Sequence, residues 1–373
     1  MSPLSTGAAV RLRGAWRPSP NPKAQSHELH VVGVDVLGAA DPASHPPIIT
    51  SSDCEGAGEV FDVGTGPRQQ APASAEDNCS FFRSTKYLTV SSQLHLEALA
   101  QSVGRVWTLS PTFRAERSDT ARHLSEFYML EAEVSFADAM DEVMDLVEDM
   151  LRHLTTALYP TQIGRELLYG KRPSESGLQV DPELTKELEH RWQGMMRESW
   201  PRITYTEAID ILKSSNEAFE HKPQWGAGLQ AEHERYIAAT VGKGSPVFVT
   251  AYPKEIKPFY MLPSAETSSA VPPGETVDCF DLLVPEVCEI VGGSMREYRY
   301  PELIQSMRSH GLLKGETEDD LGPLKWYAEL RQWGSVPHGG FGLGFDRLLL
   351  YLSGVGNIRE IVTFPRWVER CDC

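Results

Sequence analysis

Residues Val106–Phe136 read VWTLSPTFRAERSDTARHLSEFYMLEAEVSF, two apolar runs separated by a polar segment. This layout predicts two antiparallel strands joined by a long polar loop. Because side chains alternate along a strand, Arg114 and Glu116 are expected on one face. Four residues of the return strand are likewise expected on one face: Phe127, Met129, Glu131 and Glu133. Buried charges are costly unless they are paired, so this face predicts a wall for a charged ligand with a flat ring.

Two further segments carry chemistry nearer the C-terminus. Residues 339–347 read GGFGLGFDR and lead into an apolar helix at 348–352, while residues 281–297 read DLLVPEVCEIVGGSMRE. With Val106–Phe136, these segments resemble motifs 2 and 3 of the class II aminoacyl-tRNA synthetases, and among them the asparaginyl-tRNA synthetases. The resemblance covers residues 46–366. It implies an α+β fold, an antiparallel sheet flanked by helices with the ligand on its open face.

The resemblance also divides the chain. Residues 46–373 are expected to form the catalytic domain, and residues 1–45 to form part of an OB-fold-like anticodon-binding domain, too short to close a barrel. Family members carry between these parts a long helix and strand, motif 1, which form much of the dimer interface. The sequence shows no counterpart to that helix. A homodimer is therefore expected from the family and disfavoured by this gap.

Composition limits the partners and the compartment. A formal net charge of −17 over 373 residues excludes a protein that holds nucleic acid by a general basic surface, so tRNA binding would depend on a few placed Arg and Lys residues. There is no apolar run near the ~18 residues that span a bilayer, so no membrane partner is expected. Six Cys without CxxC spacing favour a reducing compartment.

The expected location is mitochondrial or cytoplasmic. Residues 1–22 contain Arg11, Arg13 and Arg17 and no acidic residue, as in a transit peptide, although the same segment also fits short strands. The resemblance of residues 357–366 to organellar and bacterial-type members favours a mitochondrial enzyme.

The resemblance implies an ATP site. Arg114 would bridge the amino-acid carboxylate and the α-phosphate, because a planar guanidinium makes two charge-assisted hydrogen bonds. Glu116 would accept from the adenine amino group, and Phe127 would stack on one face of the ring. Arg347 would cover the other face and contact the γ-phosphate.

The phosphates and their metal ion complete the expected nucleotide site. By resemblance, Arg122 and His123 would hold the β- and γ-phosphates. Asp281 and Glu289 are hard oxygen ligands that would share Mg²⁺ with the phosphates. Structural salt bridges are the alternative interpretation of these charged residues.

The amino-acid pocket indicates the substrate. By resemblance, Arg296 and Glu131 contact the substrate side chain, and Glu55 and Gln93 hold its α-ammonium group. The related aspartyl enzymes carry a lysine for the second carboxylate oxygen where this chain has Leu96. A carboxylate left unpaired there costs several kcal/mol, whereas a carboxamide donates to Glu131 and accepts from Arg296.

The preferred function is therefore asparagine-tRNA ligase, with asparagine, ATP and tRNA(Asn) as substrates. An incomplete gene model of such an enzyme would explain the motif 1 gap. An ammonia-dependent asparagine synthetase and an inactive synthetase-like protein remain the alternatives. His338, beside the glycine-rich strand, has either a site role or a packing role, and His233 is expected on a solvated helix face.

Local patterns predict further elements. An amphipathic helix is expected over 138–159 with its apolar stripe facing the core. A strand leading into a helix is expected over 86–104, and a helix capped by Thr204 or Thr206 follows Ile203. Residues 247–250 and 259–262 are expected to form strands and residues 277–299 a strand pair.

Overall fold

The computed structural model describes residues 9–20, 26–38, 43–52, 54, 59–64, 81–82, 84–174, 177–265, 273–313, 315 and 318–372. Its strands are β1 Ala9–Pro18, β2 His27–Gly38, β3 Ile49–Thr50, β4 Tyr87–Leu88, β5 Arg105–Phe113, β6 Glu126–Ser135, β7 Arg172–Ser174, β8 Gly177–Gln179, β9 Arg202–Thr204, β10 Val247–Thr250, β11 Cys279–Val284, β12 Cys288–Met295 and β13 His338–Gly344. Its α-helices are α1 Gln93–Val103, α2 Met140–Leu158, α3 Gln162–Tyr169, α4 Pro182–Met195, α5 Tyr205–Ser214, α6 Ala231–Ile237, α7 Tyr300–Ser309, α8 Lys325–Glu329 and α9 Phe345–Ser353.

A seven-stranded sheet organises the chain from residue 105 onward. Its strand order is β5-β6-β13-β12-β11-β10-β9, and all neighbours are antiparallel except β9 and β10, which are parallel. The two glycine-containing strands meet at its centre. A Cβ at Gly340 of β13 would lie only 2.3 Å from the carbonyl oxygen of Ala132 in β6, so glycine permits this approach. The predicted α+β fold is confirmed.

Helices cover one face of the sheet, and the main hydrophobic core lies between these helices and the sheet. α2 packs the predicted stripe against β12, β13 and α4. Four residues of the stripe are buried in the main cluster, Val143, Met144, Val147 and Leu151, and three are partly buried against it, Met140, Met150 and Leu154. α5 begins as predicted at Thr204, whose hydroxyl accepts from the Glu207 amide at 3.1 Å. No helix of the described residues is long and apolar enough to cross a membrane.

The N-terminal strands pair with each other. β1 and β2 form a two-stranded antiparallel sheet with register shifts at Ala9/Val10 and Arg13/Gly14. β1 agrees with the short strands that residues 1–22 fit, but the assignment of residues 1–45 to an anticodon-binding domain stays a prediction. No helix precedes α1 in the described parts of the chain, and the motif 1 gap stays a prediction.

Two local predictions are wrong. Residues 259–262 form no strand; within them only Met261 makes an isolated bridge, with Arg296. Prolines at 258 and 263 flank the segment and lack the N–H that a ladder requires. Arg114 lies just beyond β5, which ends at Phe113, so its meeting with Glu116 results from the loop rather than from strand alternation.

Candidate active site

One cavity of about 420 Å³ lies on the open face of the seven-stranded sheet. Strands β6, β11, β12 and β13 supply its floor, while α1, the β5–β6 loop and α9 supply its walls. It is lined by all but one of the predicted site residues: Arg114, Glu116, Arg122, His123, Phe127, Arg347, Gln93, Glu131, Arg296, Asp281 and Glu289. The exception is Glu55, which lies outside the described residues.

The β5–β6 loop forms a charged cluster beside an aromatic ring. Glu116 lies between an arginine and a histidine, with Arg114 Nη1 3.7 Å from Oε1 and His123 Nε2 3.5 Å from Oε2. The Arg114 guanidinium lies 5.7 Å from the centroid of the Phe127 ring. All these groups are partly exposed to the cavity. The cluster therefore offers a carboxylate acceptor, a cation and a flat apolar surface within one short segment.

Two further guanidinium groups lie beside this cluster, Arg122 from the same loop and Arg347 from α9. Arg122 donates to the carbonyl oxygen of Val287 at 3.3 Å, and Arg347, in the first turn of α9, donates to that of Glu289 at 2.9 Å. Burial lowers the pKa of His123, and Arg347, Arg122 and Arg114 lower it further against the opposing effect of Glu116. This part of the cavity is therefore strongly cationic and suits phosphate groups.

A carboxylate pair lies opposite these cations. A Cβ at Gly292 would lie 3.0 Å from Glu289 Oε1 and 3.7 Å from Asp281 Oδ1, so both oxygens face one point above this glycine. Burial and the charge of Asp281 raise the pKa of Glu289. Lys257 Nζ donates to both oxygens of Asp281 at 3.1 and 3.0 Å.

This pair fits a divalent cation held jointly with phosphates. The described residues contain no group of three or more His, Cys, Asp or Glu arranged around a metal position. Mg²⁺ commonly binds through one or two carboxylates together with phosphate oxygens and water, and the mutual repulsion of Asp281 and Glu289 favours such a cation.

The opposite end of the cavity presents the carboxylate of Glu131. Glu131 is 3% exposed, accepts from the Ser91 hydroxyl at 2.5 Å and accepts from the Ser92 amide at 2.9 Å. These bonds fix the position of the carboxylate at the cavity wall. Leu96, one turn into α1, is 1% exposed and also lines the cavity. The structure thus places an apolar side chain in the cavity wall near Glu131.

Arg296, directly after β12, enters the same end and is 3% exposed. Its Nε and Nη2 each donate to Glu133 at 3.0 Å, and its Nη1 donates to the Ser294 hydroxyl. A guanidinium has five N–H donors. Among the described residues these bonds use three, which leaves donors on both terminal nitrogens for a ligand in the cavity.

Behind Arg296 lies a buried network around Glu97 of α1. Glu97 accepts from Tyr327 at 2.8 Å and pairs with Arg331, and His338 Nε2 lies 3.2 Å from it. Burial alone would raise the pKa of Glu97, but Arg331, His338 and Arg296 outweigh it and hold that pKa below its usual range. Burial raises the pKa of Glu133, even with Arg296 beside it.

Sequence reasoning missed the parts of this network that come from distant segments. Glu97 carried one signal, an acidic residue within the apolar run of α1, four residues after Gln93. Arg331 carried none, because its partner is remote in sequence. The same holds outside this network for Lys257, the partner of Asp281. His338 belongs to the network, with its Nδ1 2.8 Å from the Val336 carbonyl oxygen.

The prediction for His233 is wrong. Its side chain is 3% exposed, it accepts from the Gln230 amide at 3.1 Å, and its Nε2 lies 2.8 Å from the His221 carbonyl oxygen. Phe219 packs edge-on against its ring. The residue is therefore a satisfied core histidine at the start of α6, and its acidic neighbours in sequence concealed its buried position.

Comparison with known proteins gives consistent relatives. The family model described as tRNA synthetases class II (D, K and N) matches residues 44–368. A mitochondrial asparagine–tRNA ligase from Saccharomyces cerevisiae is 46% identical over 86% of this chain and 62% of the relative. An asparagine–tRNA ligase from Desulfotalea psychrophila is 37% identical over 97% of this chain and 84% of the relative.

A solved structure shows the same fold. Asparaginyl-tRNA synthetase from Pyrococcus horikoshii, complexed with asparaginyl-adenylate, matches with a TM-score of 0.69 and 27% identity, covering 97% of this chain and 83% of that one. The chain spans 62% of the length of the yeast relative. The family match, the relatives and the sheet with its cavity agree, and the chain belongs to the class II tRNA synthetases of the D, K and N group.

Proposed function

We propose that this chain is an asparagine-tRNA ligase, which activates asparagine with ATP and transfers it to tRNA(Asn). One observation carries the proposal: a single cavity joins a cationic, aromatic end that suits ATP to an end where Glu131 and Arg296 present an acceptor and donors. The names of the yeast and Desulfotalea relatives and the adenylate bound to the Pyrococcus enzyme support it.

At the nucleotide end, positioning and charge stabilisation carry the reaction. Phe127 stacks on the adenine, Glu116 accepts from its amino group, and Arg347 covers the opposite face. Arg114 bridges the substrate carboxylate and the α-phosphate. A carboxylate oxygen of asparagine attacks the α-phosphorus, and the bond to the β-phosphate oxygen breaks, so pyrophosphate leaves with the electron pair and asparaginyl-adenylate remains.

The leaving pyrophosphate is held from two sides. Arg122 and His123 neutralise the β- and γ-phosphates as negative charge develops on them. Asp281 and Glu289 would hold Mg²⁺, which would supply positive charge to stabilise the leaving pyrophosphate. Lys257 keeps the Asp281 carboxylate in place through its two hydrogen bonds.

At the amino-acid end, the pocket reads a carboxamide. The amide nitrogen of asparagine donates to Glu131, and its oxygen accepts from the remaining donors of Arg296. Gln93 and Glu55 hold the α-ammonium group. Aspartate would place a carboxylate against Glu131 and Leu96, and such a mismatch at a site built for a hydrogen bond reduces kcat/KM by about 10⁴-fold.

In the second step, a terminal ribose hydroxyl of tRNA(Asn) attacks the carbonyl carbon of the adenylate, and AMP leaves. Because the chain carries a net charge of −17, we expect this binding to depend on a few basic residues and to weaken with salt. The name of the yeast relative supports a mitochondrial location, which microscopy of a tagged full-length chain would test. Homodimerisation stays a prediction, to be checked by gel filtration.

The test is asparagine-dependent exchange of pyrophosphate into ATP by the purified chain. We expect exchange with asparagine that Arg114→Ala and Arg296→Ala abolish, and charging of tRNA(Asn) by the wild type. Glu148→Gln, a buried substitution outside the cavity, serves as the matched control and should keep full exchange. Synthesis of asparagine from aspartate, ATP and ammonia without tRNA charging would instead establish the asparagine synthetase alternative.

A further inference from the structure

Glu97 is a fully buried carboxylate that does not line the cavity, yet it connects groups that do. It accepts from Gln93 Nε2 at 3.0 Å and from the Tyr327 hydroxyl at 2.8 Å, and it pairs with Arg331 and His338. These partners come from α1, α8, the segment after α8, and β13. A carboxylate with this many donors is fixed in position, and it fixes its partners in turn.

Two of its neighbours belong to the substrate pocket. Glu97 Oε1 accepts from Gln93 and lies 3.8 Å from Arg296 Nε. Gln93 is the group proposed for the α-ammonium, and Arg296 is the group proposed for the side-chain carboxamide. The two ends of one small substrate are therefore oriented from a single buried carboxylate.

The charge of Glu97 also bears on the choice of substrate. Its carboxylate lies behind Arg296 in a buried environment, where charges interact more strongly than in water. It partly offsets the guanidinium that would otherwise attract a substrate carboxylate, and a neutral carboxamide is little affected. Loss of this charge should therefore favour aspartate relative to asparagine.

We propose that Glu97 is a positioning residue that sets Gln93 and Arg296 together for asparagine and helps to exclude aspartate. The inference rests on the proposed function and deepens it. Glu97 acts through its neighbours rather than on the substrate itself, and Leu96, next to it in α1, forms the cavity wall.

The test compares Glu97→Gln with Glu148→Gln. Glu148 of α2 is a second buried carboxylate, 6% exposed, and is absent from the cavity lining. It pairs with Arg152 of the same helix at 3.3 Å and with Arg202 of β9 at 3.4 Å. In pyrophosphate exchange, Glu97→Gln should raise KM for asparagine about 10- to 100-fold, the scale of a misplaced binding group. KM for ATP should not change, and the asparagine-to-aspartate ratio of kcat/KM should fall. Glu148→Gln should alter neither quantity.

An unchanged substrate ratio, or equal changes in KM for asparagine and ATP, would overturn the proposal and leave Glu97 a structural residue. Removing one partner of a buried pair can prevent folding. In that event the double variant Glu97→Gln/Arg331→Met is used, because it leaves no lone charge in the Glu97–Arg331 pair. It should show the same kinetic change, and wild-type kinetics in this variant would refute the proposal.

If the wild type shows no exchange, the proposed function fails, and titration calorimetry with asparagine alone decides the inference. Binding at least about tenfold weaker in Glu97→Gln than in the wild type supports it. Equal binding by the two proteins, or no binding by the wild type, overturns it.

Discussion

Glu234 provides a prediction whose size can be worked out. It lies in α6, half-buried, and burial together with the charges of Glu289 and Asp281 raises its pKa from 4.5 to about 7. A carboxyl group whose pKa is higher in the folded state binds its proton more tightly there. Stability is therefore lost as pH rises from the unfolded pKa through the folded one. One pKa unit corresponds to about 1.4 kcal/mol, so ionisation of Glu234 lowers the free energy of unfolding by about 3 kcal/mol at pH 8 and by under about 1 kcal/mol at pH 5.

Glu234→Gln removes that cost because the amide never ionises. We expect the variant to gain up to about 3 kcal/mol in free energy of unfolding over the wild type at pH 8, and much less at pH 5. Urea unfolding at both pH values, with EDTA present to exclude divalent cations, measures the difference. A gain of the same size at both pH values would refute the reasoning.

The same helix supplies a control of opposite sign. Backbone hydrogen bonds from His221 and Glu220 lower the pKa of Glu232. A carboxyl group whose pKa is lower in the folded state stabilises the chain at pH values above the pKa of the unfolded state. This stabilisation is lost as pH falls through the pKa of the folded state. Glu232→Gln should therefore destabilise the chain at pH 8 and have less effect at low pH. If both variants change stability in the same direction at pH 8, local electrostatics does not explain either.

Two further predictions concern the sheet and the phosphate end. Gly340→Ala would place a Cβ 2.0 Å from Glu133 Oε2 and 2.3 Å from the Ala132 carbonyl oxygen, so we expect a loss of about 3 kcal/mol or more in urea unfolding. For Gly342→Ala the closest contact of the added Cβ is the flexible Met129 side chain at 3.1 Å, so this variant should lose clearly less stability. Bound phosphates should raise the lowered pKa of His123, so ATP affinity measured by calorimetry should rise as pH falls, by up to about tenfold per pKa unit. His123→Gln has no imidazole to protonate, so it should lack this part of the pH dependence. A pH profile of ATP affinity equal to that of the wild type would contradict the role of His123.

Local patterns predicted what depends on periodicity. The alternation of β6 placed Phe127, Met129 and Glu131 on the cavity side, as the structure has them. The 3.6-residue period of α2 likewise predicted its buried stripe. These elements are determined by neighbours in the sequence, and one turn or one strand is enough to show which face is buried.

Contacts between remote segments were not predictable in the same way. Glu97 and Arg331 are 234 residues apart, and the sequence shows neither that both are buried nor that they pair. Sequence reasoning placed Arg296 and Glu131 in the pocket through the family resemblance. It did not predict that Glu133 and Ser294 hold Arg296, because these contacts depend on the register between β6, β13 and β12.

The most direct test of the account compares asparagine and aspartate as substrates for pyrophosphate exchange. Glu131, held by Ser91 and Ser92, faces the pocket beside Leu96, so the account predicts that asparagine is preferred by about 10⁴-fold in kcat/KM. Equal exchange with the two amino acids would contradict it.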